Sequence, residues 1–98
     1  MLKYRLTVEA VKDLECIWAY TYEKWSVEQV DRYYNLIIDE IEHIASNPLS
    51  GRSKDHIRKG YCASKVKSHL VFYKLGVDMT VEIIRILHQR MDVEDRMK

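Results

Sequence analysis

The first half of the chain shows a short polar–apolar alternation followed by helical spacing. The alternation predicts a strand over residues 3–8 with Tyr4, Leu6 and Val8 facing inward. Thr7 can cap the helix that follows, because its hydroxyl can accept a hydrogen bond from an amide in the first turn. The next apolar residues are spaced 3, 4, 4 and 3 apart and predict one buried helical stripe: Val11, Leu14, Trp18, Tyr22 and Trp25. On the solvent side of this helix we expect Lys12, Asp13, Glu15 and Glu23.

A second helix is predicted to begin almost at once. Ser26 and Gln29 form a capping-box pattern, in which each side chain can bond the other residue's amide. The apolar residues at helical spacing here are Val30, Tyr34, Ile37, Ile38, Ile41, Ile44 and Ala45. Pro48 ends this helix, because proline disfavours the helical backbone in the residue before it. So short a connection predicts that the two helices form an antiparallel hairpin.

The rest of the chain is a polar segment followed by three segments with a period of two. Residues 49–59 show no period and predict a loop. Strands are predicted over residues 61–66, 70–75 and 81–87, with connections short enough for an antiparallel meander. The predicted fold is a single α+β domain over residues 1–98, in the order β-α-α-β-β-β. In it a helical hairpin covers one face of a twisted antiparallel sheet. Residues 92–98 are polar and predict a single helical turn.

Composition restricts the class of protein without naming a function. With 98 residues, 47% of them hydrophobic and 32% charged, the chain suits one globular core. No apolar run reaches the roughly 20 residues that span a bilayer, and the N-terminus lacks the apolar centre of a signal peptide. Cys16 and Cys62 have no metal-ligand spacing, and neither do His43, His56 and His69. We therefore expect a cytoplasmic protein with reduced, buried cysteines, no membrane contact, no metal and no cofactor.

Charge is distributed unevenly along the chain. Residues 1–50 hold five basic and nine acidic side chains, whereas residues 52–74 hold seven basic side chains and only one acidic one, Asp55. A basic block of this kind suggests an anionic partner, although a solvated lysine-rich face explains it equally well. Charge alone does not decide between these explanations.

Six stretches of sequence carry a family resemblance. In chain order they lie within residues 14–21 (LECIWAYT), 25–29 (WSVEQ), 47–52, 57–61 (IRKGY), 68–73 (SHLVFY) and 84–92 (IRILHQRMD). Together they resemble the RelE/ParE superfamily of bacterial toxins, specifically its ParE branch, and the last two stretches are the most specific. The family's β-α-α-β-β-β fold agrees with the pattern above, but a shared fold does not by itself imply a shared activity.

The resemblance implies the toxin half of a type II toxin–antitoxin module. Toxins of the ParE branch are known for poisoning DNA gyrase, a type II topoisomerase, by binding it, and no catalytic step of their own is established. A ParD-like antitoxin wraps its C-terminal segment around the toxin, so a hetero-oligomer is expected. The sequence does not distinguish gyrase from topoisomerase IV as the target.

Two alternatives stay open within the same superfamily. The RelE branch cleaves messenger RNA in the ribosome, which requires a base, cations at the scissile phosphate and an acid. Candidates for these roles here are Arg58, Lys65, Arg85 and His88. The set looks incomplete, because no tyrosine follows Tyr73 and carboxylates are sparse after the second helix. The other alternative is a non-toxic relative that retains only antitoxin binding.

The predicted partner surface combines aromatic and basic residues. Ten aromatic residues exceed what so small a core can enclose, so some should line an exposed groove, where aromatic anchors commonly dominate binding. Lys65 and Lys67 lie two apart on a predicted strand, so we expect both on one face. The residues predicted to bind a partner are Trp18, Tyr22, Trp25, Tyr34, Arg58, Lys65, Lys67 and Arg90.

Arg85 and His88 are predicted to have structural roles. Arg85 is expected to share a strand face with Ile83 and Leu87, where a charge needs water or a partner such as a helix carboxylate. His88 is expected on the opposite face as a hydrogen-bonded histidine.

Overall fold

A computed structural model of the protein describes residues 4–89, apart from the Thr21 side chain. In chain order the elements are β1 (Tyr4–Leu6), α1 (Val8–Lys24), α2 (Val27–Ser46), a 3₁₀ turn (Pro48–Ser50), β2 (Arg52–Ser53), β3 (Cys62–Val66), β4 (His69–Leu75) and β5 (Val81–His88). This confirms the α+β class, the two helices and the three later strands. The turn predicted within residues 92–98 and the role predicted for Arg90 lie outside the described residues.

The five strands form one mixed sheet in the order β1-β5-β4-β3-β2. The pairs β2–β3, β3–β4 and β4–β5 are antiparallel, which confirms the meander of the three later strands. Strand β1, however, runs parallel to β5, with Tyr4 beside Val81 and Leu6 beside Ile83, so the prediction of a purely antiparallel sheet is wrong. Only strands joined by tight turns must be antiparallel, and β1 leads into the helices instead.

The predicted loop over residues 49–59 contains a further edge strand. Strand β2 pairs with the start of β3, placing Arg52 opposite Ala63. The Tyr73 hydroxyl holds this segment, because it donates to the Pro48 carbonyl and accepts from the Gly51 amide, both at 2.9 Å. A Cβ at Gly51 would lie 2.1 Å from that hydroxyl oxygen, so this close approach requires glycine.

Both helix starts are capped by the residues that the sequence predicts. The Thr7 hydroxyl accepts from the Ala10 amide at 3.1 Å and donates to the Ile84 carbonyl at 2.8 Å, which joins the start of α1 to β5. Ser26 and Gln29 form the predicted capping box of α2. Val8 is already helical and 68% exposed, so its predicted inward position is wrong.

The main core lies between the helices and the sheet. Helix α2 contributes its predicted stripe, of which Val30, Ile37, Ile41 and Ile44 are fully buried. The facing strands contribute Val66, Val71, Tyr73, Val81, Ile83 and Ile86. On the opposite face of the sheet a smaller cluster forms around Ala63, Phe72 and Leu87, with Ile57 and Tyr61 packed against it.

The predicted buried stripe of α1 is largely wrong. Leu14 is buried, but Val11, Trp18, Tyr22 and Trp25 are exposed. The core-facing side consists instead of Ala10, Leu14 and the half-buried Ile17. Asp13, predicted to face solvent, is half-buried because it binds a partner on β5, as described below. The large aromatic residues dominate the hydrophobic pattern of this segment, but they lie on the surface. The small Ala10 faces the sheet instead and allows α1 to approach it closely.

An irregularity in β5 changes which side chains share a face. Pairing with β4 passes from Phe72–Arg85 to Tyr73–Ile83, so Ile84 is an extra residue in β5. Ile86 therefore joins Ile83 in the main core, whereas Leu87 belongs to the cluster on the other face. The predicted shared face of Ile83 and Leu87 is consequently wrong.

Two further expectations concern the burial of the cysteines and the presence of a membrane-spanning helix. Cys16 is exposed and Cys62 is half-buried, so burial of both thiols is not found. Neither cysteine forms a disulfide. None of the helices within residues 4–89 has the length and hydropathy needed to traverse a bilayer.

Candidate partner-binding surface

A cavity of about 800 Å³ is bordered by both helices and by the sheet. It is lined by residues from α1, α2, β5 and the β3–β4 connection: Asp13, Cys16, Ile17, Tyr20, Lys24, Trp25, Tyr33, Ser68, His69, Ile86 and His88. Trp25 and Ser68 both belong to this lining, although they lie in the acidic and basic halves of the sequence. The fold therefore brings a residue of the acidic half of the sequence and a residue of the basic half to the same cavity.

Tyr33, His69 and His88 form a row along the wall of the cavity. The Tyr33 hydroxyl lies 2.6 Å from Nδ1 of His69, and the His69 and His88 rings meet edge to face with centroids 5.2 Å apart. The pKa of His69 is lowered to about 4, chiefly by burial and also by the nearby His88, while Asp13 opposes the shift. Burial also raises the pKa of Tyr33. At neutral pH a protonated Tyr33 hydroxyl can thus donate to a neutral His69.

Asp13 and Arg85 link α1 to the irregular part of β5. The Arg85 guanidinium donates to the two Asp13 oxygens at 2.8 and 3.0 Å, and the Ile86 amide donates to the same carboxylate at 3.0 Å. The carboxylate raises the pKa of Arg85 above its ordinary value. A helix carboxylate as the partner of Arg85 is thereby confirmed. His88 lines the cavity together with residues of α1.

Three of the predicted partner-binding aromatics lie on the surface. Trp18 and Tyr22 stack with ring centroids 5.1 Å apart, and Trp25 meets Tyr33 edge to face at 5.9 Å. Trp18, Tyr22 and Trp25 are 39%, 50% and 47% exposed. Tyr34 is only half-exposed, since it packs against the main core. We call Trp18, Tyr22 and Trp25 the aromatic face, and its role in partner binding stays a prediction.

The predicted basic residues lie on β3, in the turn that follows it and in the segment that precedes it. Lys65 is exposed on β3, but Lys67 belongs to the β3–β4 turn with φ at +53°, so the prediction of one shared strand face is wrong. Arg58 is exposed in the turn that precedes β3. These positions are accessible to a partner, as the prediction requires.

The four candidates for ribonuclease chemistry are not assembled into one site. Arg85 is bound to Asp13, and His88 lines the cavity beside His69. Lys65 is two residues from Ala63 along β3, so it projects from the face opposite the helices. Within residues 4–89, moreover, no three His, Cys, Asp or Glu side chains converge as metal ligands would.

The sequence analysis does not identify Asp13, Tyr33 and His69 as residues that line the cavity. His69 and His88 are directly paired across β4 and β5, but only because Ile84 is an extra residue in β5. Counted back from the β4–β5 connection alone, His69 would face Leu87 instead. The contact of Asp13 depends on the extra residue in β5, which leaves no signal in the hydrophobic pattern.

Comparisons with known proteins decide the family. Residues 4–93 match the profile described as "ParE toxin of type II toxin-antitoxin system, parDE". The chain belongs to the ParE toxin family. It is 40% identical over 92 residues to Toxin ParE1 of Mycobacterium tuberculosis (strain CDC 1551 / Oshkosh) and 44% identical over 92 residues to Toxin ParE1 of Caulobacter vibrioides. In both cases the alignment covers 94% of each protein.

A solved structure agrees with the ParE fold. The chain superposes on a chain described as the chromosomal ParDE toxin–antitoxin system from P. aeruginosa with a TM-score of 0.76, covering 90% of this protein and 96% of that one. At 17% identity this likeness supports the fold alone. Family membership confirms the resemblance seen in the six stretches, and a toxin of a toxin–antitoxin system implies an antitoxin partner.

Proposed function

We propose that this ParE-family toxin inhibits DNA gyrase, a cytoplasmic type II topoisomerase, by binding it and without a reaction of its own. The observation that carries the proposal is membership of the ParE family over residues 4–93. Lys65 and His88 project from opposite faces of the sheet, which supports binding rather than RNA cleavage, because general acid–base catalysis requires its groups within hydrogen-bond reach of one substrate.

We further propose that the antitoxin occupies the cavity and the aromatic face. The cavity is mainly apolar, and Trp25 belongs to both surfaces. Exposed tryptophan and tyrosine rings beside a pocket are typical of the residues that contribute most to protein–protein affinity. Lys24, held over the Tyr20 ring at 5.7 Å, can attract acidic residues of an antitoxin.

A supercoiling assay tests the gyrase proposal. Purified toxin is added to gyrase, ATP and relaxed plasmid, and the same toxin is added in parallel to a translating extract. The proposal predicts loss of supercoiling or accumulation of cleaved plasmid, with messenger RNA intact. Normal supercoiling with cleaved messenger RNA would favour the ribonuclease alternative, and no effect in either assay would favour a non-toxic relative.

The antitoxin proposal has its own test. Trp25→Ala removes an exposed ring from the edge of the cavity, and Val77→Ala is the matched control, since Val77 is a fully exposed apolar residue between β4 and β5. Affinity for the antitoxin encoded beside the toxin is measured by calorimetry. We expect Trp25→Ala to weaken binding at least ten-fold and Val77→Ala to leave it unchanged. Equal affinities would place the antitoxin elsewhere.

A further inference from the structure

Six exposed or half-exposed cations surround the outer edge of the sheet at β2 and β3. They are Arg52, Lys54, Arg58, Lys59, Lys65 and Lys67, which we call the basic edge. Within residues 4–89 none of them forms an ion pair; the pairs found there use Arg5, Lys74 and Arg85. The one acidic residue in this stretch is Asp55, whose Oδ1 accepts a hydrogen bond from the Gly60 amide nitrogen at 2.8 Å. Residues 52–67 carry six cations and one carboxylate and therefore have a net charge of +5.

The backbone directs several of these cations to one side of the sheet. Arg52 lies directly opposite Ala63, so both project from the same face, and Lys65 follows Ala63 by two residues on that face. Ala63 belongs to the cluster on the face away from the helices. Ile57 packs on that cluster and brings Arg58 and Lys59 to the same region. On standard strand spacing Arg52 and Lys65 are about 8 Å apart, within reach of neighbouring phosphates.

The basic edge lacks the features of a protein-binding surface. Within residues 52–67 no large apolar side chain is exposed, whereas the aromatic face supplies three. Protein interfaces depend on buried aromatic or aliphatic anchors, but a phosphate backbone can be bound by cations alone. Four of the six cations are lysines, which bind phosphate as point charges without reading sequence.

We propose that the basic edge binds the phosphate backbone of duplex DNA, so that the toxin contacts the DNA held by its target as well as the target itself. The choice of duplex DNA rests on the proposed function, because a topoisomerase acts on that polymer. Binding is expected to be independent of sequence and strongly dependent on salt. If three phosphates are neutralised, affinity should fall about 40-fold between 50 and 200 mM salt.

Fluorescence anisotropy with a labelled 24-base-pair duplex tests the proposal without gyrase. The test variant is Lys59→Glu/Lys65→Glu. The matched control is Lys12→Glu/Arg32→Glu, which reverses two exposed charges on the helices and so changes the net charge by the same amount. Both must keep the wild-type melting temperature; the corresponding glutamine variants are used where a glutamate variant does not. We expect the test variant to lose at least ten-fold in affinity and to have a shallower salt dependence, with less than a two-fold change in the control.

The proposal would be overturned if the wild type did not bind the duplex at 50 mM salt, or if both variants lost affinity equally. A test variant that binds duplex normally but loses the antitoxin would assign the basic edge to the antitoxin instead and would also overturn it. Failure of the gyrase proposal appears separately, as unimpaired supercoiling in the presence of wild-type toxin.

Discussion

The Asp13 carboxylate of α1 receives both the Arg85 guanidinium and the Ile86 amide of β5 within 3.0 Å. One acidic side chain thus binds the helix to the strand at the point where the strand's regular pairing is interrupted. The same carboxylate lines the cavity. The contact therefore fixes the position of α1, which carries the aromatic face.

Removing this carboxylate should destabilise the fold. Asp13→Ala removes an acceptor of the half-buried Arg85 guanidinium and of the Ile86 amide, so we expect about 2 kcal/mol less unfolding free energy in urea titrations. Glu15→Ala, at a neighbouring exposed position, is the control and should change little. In a double-mutant cycle Arg85→Ala should cost less in the Asp13→Ala background; equal costs would show that the pair is not coupled.

Stability should depend on pH through His69. Its pKa is lowered in the folded protein to about 4, whereas an unfolded histidine titrates near 6.5, so the unfolded state binds more protons between these values. Unfolding free energy is therefore expected to fall as pH decreases from about 6.5 towards 4. His69→Gln, which keeps a hydrogen-bonding side chain, should reduce this dependence in urea titrations at pH 7.5 and 5. An identical pH profile in variant and wild type would contradict the assignment.

The Tyr73 hydroxyl should stabilise the segment between α2 and β2. Tyr73→Phe removes its bonds to Pro48 and Gly51 while keeping the ring in the core, so we expect a loss of about 1–2 kcal/mol. Tyr61→Phe is the matched control, because the half-buried Tyr61 hydroxyl forms no such pair of bonds to residues 4–89. Comparing the thermal unfolding of the two variants distinguishes the loss of these two hydrogen bonds from a general effect of removing a tyrosine hydroxyl.

The core face of α2 can be tested in the same way. Ile41 is fully buried, so Ile41→Ala should lower the unfolding free energy by roughly 2–5 kcal/mol. Leu36 lies on the same helix and is 39% exposed, so Leu36→Ala should cost clearly less. Similar losses in urea titrations of the two variants would mean that the buried face of α2 is misassigned.

The two helices show how far the sequence alone predicts this fold. In α2 the buried residues are regularly spaced aliphatics, so the pattern identifies the buried face. In α1 the aromatics dominate the pattern but lie outside, while Ala10 and the charged Asp13 face the sheet. Hydrophobicity cannot reveal a charged residue whose burial depends on a partner 72 positions away.

The candidate surface was predictable to a similar degree. Exposed aromatics and a basic segment were anticipated from residue counts, and both are found. The sequence does not predict that Trp25 and Ser68 line the same cavity, because this depends on how the hairpin packs on the sheet. The direction of β1 and the extra residue at Ile84 were likewise set by tertiary contacts rather than by local pattern.

The central claim, inhibition of gyrase by binding alone, is tested most directly by titrating toxin against a fixed amount of gyrase during plasmid supercoiling. Inhibition should saturate near one toxin per binding site, should not increase with longer incubation, and should be reversed by adding the antitoxin. Inhibition by far fewer toxin molecules than gyrase molecules, increasing with time and persisting after antitoxin is added, would contradict it.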